Sequence, residues 1–152
     1  FMLLTRTADV TMTFDLDLAL EQSDRNPVYY VQYAHTRIAG ILRRAAELGV
    51  ELRPEADLNL LNHPSELALI KKMLTLPGVI TLCAQTLATH HLTTYASELA
   101  AHFHAFYRDC RIVSTEDGDQ ALTQARLILA QACQSVLARV LHLMGMAAPE
   151  RM

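Results

Sequence analysis

Tyr30, Tyr33, Arg37 and Arg44 follow one another at helical intervals. With Gly40 they fall on one narrow stripe if the chain turns about 100° per residue. Tyrosine faces beside guanidinium forks suit unstacked nucleobases and phosphates. The same tyrosines could instead sit at the rim of a bundle, rings half-buried and hydroxyls wet. Arg37, one turn beyond Tyr33, is placed either to bond a phosphate or base edge or to stay solvated.

His104, Arg108 and Arg111 form a second polar stripe, opposite an apolar face. Phosphate contact and simple solvation are both compatible with it. The seven histidines give no metal signal. His102 and His104 are two apart, which turns them about 200° away from each other on a helix, and no pair has the i, i+4 spacing that would let one helix face chelate zinc. Cys83, Cys110 and Cys133 lie in apolar helical surroundings and cannot all pair, so buried free thiols in a reducing compartment are expected. The chain has no Gly-rich phosphate loop, CxxC or HExxH, and no catalytic, cofactor-binding or metal-binding residues are expected in it.

The elements that must carry these residues read as helix almost throughout. Asn26 is a favourable N-cap and Pro27 fits the first helical position, so a long helix should run from about 27 to 48, where Gly49 ends it. Val31, Ala34, Ile38, Ile41, Leu42 and Ala45 supply its core face. A short helix is expected around 15–23, and Phe1 to Leu4 could end another. After an irregular 50–62, Pro64 and Glu66 open a helix to about Leu76, which Pro77 and Gly78 should interrupt. Helices follow at about 79–89 and from His90 or His91 to Cys110. The latter has an apolar stripe of Leu92, Tyr95, Leu99, Phe103, Phe106, Tyr107 and Cys110. Asp119 should cap the last helix, with a core stripe of Leu122, Ala125, Leu129, Ala132, Val136, Val140 and Met144. The expected fold is an all-α bundle of about five helices at 26–152, preceded by a linker at 1–25.

Length and composition fit one domain with its own core: 152 residues, 51% of them apolar, with five Gly and five Pro. No run of about 18 uncharged apolar residues is evident, so no membrane span is expected. The opening lacks the basic start and apolar core of a secretory signal, and a first residue of Phe fits a piece of a longer chain. The net charge of −3 and a pI of about 6.1 argue against indiscriminate nucleic-acid binding. Any such binding must use a local patch, and the Lys71 and Lys72 pair reads as solvent-facing.

NPVYYVQYAHTR at 26–37 resembles the start of the C-terminal anticodon-binding domain of arginyl-tRNA synthetases, class I aminoacyl-tRNA ligases. TFDLDLALEQS at 13–23, HPSELALIKKM at 63–73, FHAFYRDCRIV at 103–113 and APERM at 148–152 extend the resemblance, in order, over nearly the whole chain. FDLDLALEQS at 14–23 followed by NPVYYVQYAH at 26–35 favours the arginine enzyme over the cysteine enzyme.

The resemblance implies that Tyr30 and Tyr33 line an anticodon pocket; Arg37 and Arg44 are candidate tRNA-binding residues by sharing their stripe. It also implies that Met152 packs into the recognising surface, whereas spacing alone leaves three or four frayed terminal residues. The HIGH-type and KMSKS-type segments of class I synthetases are absent. The resemblance therefore places ATP, with magnesium, and arginine in a catalytic domain outside this chain, and this piece alone should not catalyse. The expected partners are the tRNA(Arg) anticodon stem-loop and the chain's own catalytic domain. A cytoplasmic monomer is expected. A helical protein-interaction bundle without RNA specificity and a small metal- or cofactor-binding bundle are the alternatives.

Overall fold

The computed structural model describes residues 1–7, 10–11 and 13–152. Five helices of eleven or more residues build it: α2 (Pro27–Glu47), α3 (Pro64–Leu74), α4 (Leu76–Thr86), α5 (His90–Asp109) and α6 (Gln120–Leu143). A one-turn α1 (Leu16–Leu20) and 3-10 turns at Met2–Thr5 and Leu58–Leu60 complete the order. No strand occurs among the described residues, so the helical-bundle expectation is met.

α5 is the central rod. It packs against α2, α3, α4 and α6, and Tyr95, Leu99, Phe103 and Phe106 on it are essentially sealed from solvent. Aromatic rings at that spacing bury the most apolar area a helix face can offer, which is why the bundle closes around it. Tyr95 also donates its hydroxyl to the carbonyl of Lys72, 3.2 Å away, satisfying an end group of α3.

α2, which carries the first stripe, starts as expected. The Asn26 side chain accepts from the Val28 amide at 3.2 Å, and its own amide group donates to the carbonyls of Ala19 and Glu21. One side chain thus caps α2 and ties down the end of α1. Val31, Ala34, Ile38 and Ala45 are buried. So is His35, which periodicity does not single out.

Several expectations need correction. Pro77 and Gly78 do not separate α3 from α4; they form the first turn of α4, where proline's missing N–H is harmless, and Thr75 in the αR region is the whole joint. α4 ends at Thr86 and is capped by Leu87, a non-glycine residue at φ 57°. Asp119 precedes α6 but its side chain makes no capping bond. The buried face of α6 keeps Ala125, Leu129 and Val140 of the expected stripe but spreads onto Thr123, Leu127, Ala130, Cys133, Leu137 and Leu141, with Ala132 exposed. Alternating Ala and Leu give α6 apolar residues on several faces, so its own sequence does not select one. Lys72 does not face solvent: it pairs with Glu98 and lies 4.9 Å from the Tyr95 ring centre. Pro64–Thr86, taken as one 23-residue stretch, is long and apolar enough for a membrane span by length and composition. It nevertheless carries Glu66, wholly buried in an ion pair with Arg126 of α6 at 2.6 Å.

The chain's last residues cross back over α2. Gln32 donates to the carbonyl of Ala147 at 3.0 Å, and the Pro149 carbonyl accepts from His35 Nδ1 at 2.8 Å and Thr36 Oγ1 at 2.9 Å. Arg43 donates to the carbonyl of Glu150 at 3.2 Å. Gly145, at φ 73°, allows the turn out of α6 that sends this strap back.

Candidate nucleic-acid interface

Between the middle of α2 and the end of α5 lies an open groove of about 560 Å³. From α2 it is walled by Tyr33, Thr36, Arg37, Gly40, Ile41 and Arg44, and from the other side by Tyr107, Arg111 and the chain that follows to Val113. Helical spacing places the α2 set on one face, while α5 ends at Asp109 and Cys110 turns to extended backbone, which swings Arg111 across.

Arg37 organises the groove. Its guanidinium carbon lies 4.5 Å from the Tyr33 ring centre and 4.9 Å from that of Tyr107, and it donates to the Tyr33 hydroxyl. Two π-faces and a hydrogen bond hold the fork in place without neutralising its charge.

An aromatic cluster continues along α2 from that point. Tyr29 and Tyr33 are stacked nearly parallel, at 7° and 6.1 Å between centroids. Tyr30 leans on His104 at 4.9 Å, and Tyr33 reaches the same imidazole at 6.3 Å. Burial first, and the Asp24 charge second, push the Tyr30 phenol pKa up, so its hydroxyl stays protonated. Both ring nitrogens of His104 are buried without a hydrogen-bond partner. Desolvation, helped by the nearby Arg37 charge, lowers its pKa to about 4. A neutral imidazole therefore backs the tyrosines at neutral pH.

Of the residues expected at the site, Tyr33, Arg37, Arg44 and Arg111 meet at the groove. Tyr30 and His104 form the adjoining aromatic floor. Arg108 stands apart: it is exposed and pairs with Asp109, whose carboxylate also accepts from Ser65 at 2.6 Å. The stripe of His104, Arg108 and Arg111 therefore does not act as one surface. Met152 is exposed and does not line the groove, although the strap before it is fixed along α2.

Tyr107, expected in the core, is 44% exposed and belongs to the groove. Its spacing from His104 and Arg111 could have assigned it to the polar stripe. Tyr29 was detectable as the i−4 neighbour of Tyr33. Among the described residues there is no group of three or more His, Cys, Asp or Glu that could hold a metal ion.

The model of the DALR anticodon binding domain matches residues 31–152. The arginine–tRNA ligase of Dehalococcoides mccartyi strain CBDB1 is 51% identical over the whole chain, which covers 27% of that protein. That of Heliobacterium modesticaldum is 46% identical, again over the whole chain and 28% of the protein. The solved Thermus thermophilus arginyl-tRNA synthetase superposes with a TM-score of 0.73 at 33% identity, over 91% of this chain and 23% of that one. The chain thus spans about a quarter of the length of the curated relatives it matches.

Proposed function

Because this chain belongs to the DALR anticodon binding domain family, we propose that it reads the anticodon loop of tRNA(Arg) for an ATP-dependent arginine–tRNA ligase. The observation that carries this reading is the convergence of Tyr33, Arg37, Arg44, Tyr107 and Arg111 on one groove. Splayed bases stack on the exposed tyrosine faces, a contribution of roughly 1–3 kcal/mol per base. Arg37, held between two rings, meets a base edge or phosphate without first losing its own freedom.

Duplex RNA lacks free base faces and should bind poorly. In this reading residues 1–25 lead from the catalytic body, and residues 26–152 are the reader. ATP, magnesium and arginine belong to the rest of the ligase, and Met152 closes over the loop once RNA is present. The working form is a cytoplasmic monomer attached to its catalytic body.

The test is a titration at low salt with two stem-loops, one bearing an arginine anticodon and one with its middle base changed. Preferential binding of the first supports the reading. Equal binding of both leaves only charge-driven contact, and binding of neither favours a protein-interaction bundle.

A further inference from the structure

Gly40 stands in the middle of α2, a 21-residue helix. Glycine there is less favourable than alanine by roughly 0.8–1.0 kcal/mol. Neither usual reason for a glycine applies. The residue is helical and has no positive φ. A Cβ placed on it would meet only the flexible end of Arg43, at 3.8 Å. Gly78 is equally unobstructed, but it lies in the first turn of α4 and lines no part of this groove. At Gly40 the bare backbone forms a groove wall, with Thr36 and Arg37 one turn before it and Arg44 one turn after.

The two outer arginines add a charge pattern. Arg44 pairs with Glu47 at 3.1 Å and Arg111 with Glu116 at 2.5 Å; in both pairs each side chain is more than half exposed. Such pairs are worth little and exchange readily for a stronger anion. Distance along the helix separates this place from the aromatic cluster. Gly40 is seven residues past Tyr33, roughly 10 Å of rise, so a base stacked on Tyr33 cannot itself lie over Gly40.

We infer that the groove seats the ribose–phosphate backbone adjoining the stacked base, with Gly40 as the point of closest approach and Arg44 and Arg111 as its cationic walls. This deepens the anticodon reading and rests on it. The base faces are recognised at Tyr30 and Tyr33, and the strand's path is fixed two turns further along α2. Glycine is tolerated there because any side chain would lift the backbone off the helix and away from both arginines.

The test compares the unaltered chain with Gly40→Ala and Arg44→Gln, using a labelled arginine anticodon stem-loop over a range of salt, with thermal unfolding of each protein. Gly40→Ala should unfold at the same or a higher temperature, since alanine favours the helix and meets no clash, yet bind about tenfold more weakly. Arg44→Gln should lower the slope of log affinity against log salt by about 0.7, the loss of one single-strand phosphate contact. Gly40→Ala binding as tightly as the unaltered chain would overturn the inference while leaving the anticodon reading intact. Failure of the unaltered chain to prefer the arginine loop would overturn both.

Discussion

The Tyr107 ring centre lies 4.9 Å from the guanidinium carbon of Arg37, which ties the end of α5 to the middle of α2. A residue that helical periodicity places in the core thus becomes one jaw of the groove. Because Tyr107 is half-exposed, its removal should leave the bundle folded.

Tyr107→Ala is therefore expected to change stability by no more than about 1 kcal/mol, the scale of an exposed cation–π contact. Binding of an arginine anticodon stem-loop should fall further, by about tenfold, as a stacking face and the restraint on Arg37 are lost together. Tyr33→Ala should behave the same way. Anisotropy titrations beside denaturant melts check both; unchanged binding by a folded Tyr33→Ala protein removes that tyrosine from the site.

His104 predicts a pH dependence with a definite sign. Its pKa is about 4 in the fold, below the 6.5 of a free histidine. Between these values the unfolded chain holds the extra proton, so acid favours unfolding. The stability that His104 contributes is complete above about pH 6.5 and is lost progressively as pH falls towards 4. Urea melts at stepped pH should show a steeper acid decline in the native chain than in His104→Gln. Equal slopes would mean that the imidazole is open to water.

Glu66 should be the least replaceable polar side chain in the bundle. One oxygen accepts from the His63 amide at 2.9 Å and completes the capping box of α3; the other accepts from Arg126 at 2.6 Å. Glu66→Ala leaves a largely buried guanidinium unpaired and should cost about 3–5 kcal/mol, read as a lower denaturant midpoint. Arg126 also donates to the Arg111 carbonyl at 2.9 Å. The same substitution should then broaden or shift the backbone resonance of Arg111.

Leu87→Gly is expected to stabilise the protein by about 1 kcal/mol. Leu87 holds a left-handed conformation that disfavours a side chain, and it is 84% exposed, so glycine gives up almost no packing. A raised unfolding midpoint checks this. A lowered one would show that the exposed leucine contributes contacts after all.

The helices were legible wherever a cap and a single apolar stripe agree, as at Asn26–Pro27 and along α5. They were misread where one signal has two meanings. Pro77–Gly78 is both a breaker and a permitted first turn, and the apolar residues of α6 leave its core face to be chosen by its neighbours. At the site, the α2 stripe was readable because its members share one helix. Tyr107 and the separation of Arg108 from Arg111 were not, because they depend on where α5 ends and the chain bends. His104 was visible as a site residue, but its neutrality comes from burial across two helices, which no local pattern encodes. Met152 was placed by resemblance alone, and it is exposed beyond the strap.

The strap over α2 also orders events during synthesis. Gln32, His35, Thr36 and Arg43 find their carbonyl partners 107–115 residues further along the chain. At about 5–20 residues per second, a ribosome needs roughly 5–20 s to supply them after α2 is made. α5, which brings Tyr107, emerges well before that. Chain order thus makes the strap's bonds to α2 the last of these contacts to become available, after α6, which packs against both α2 and α5.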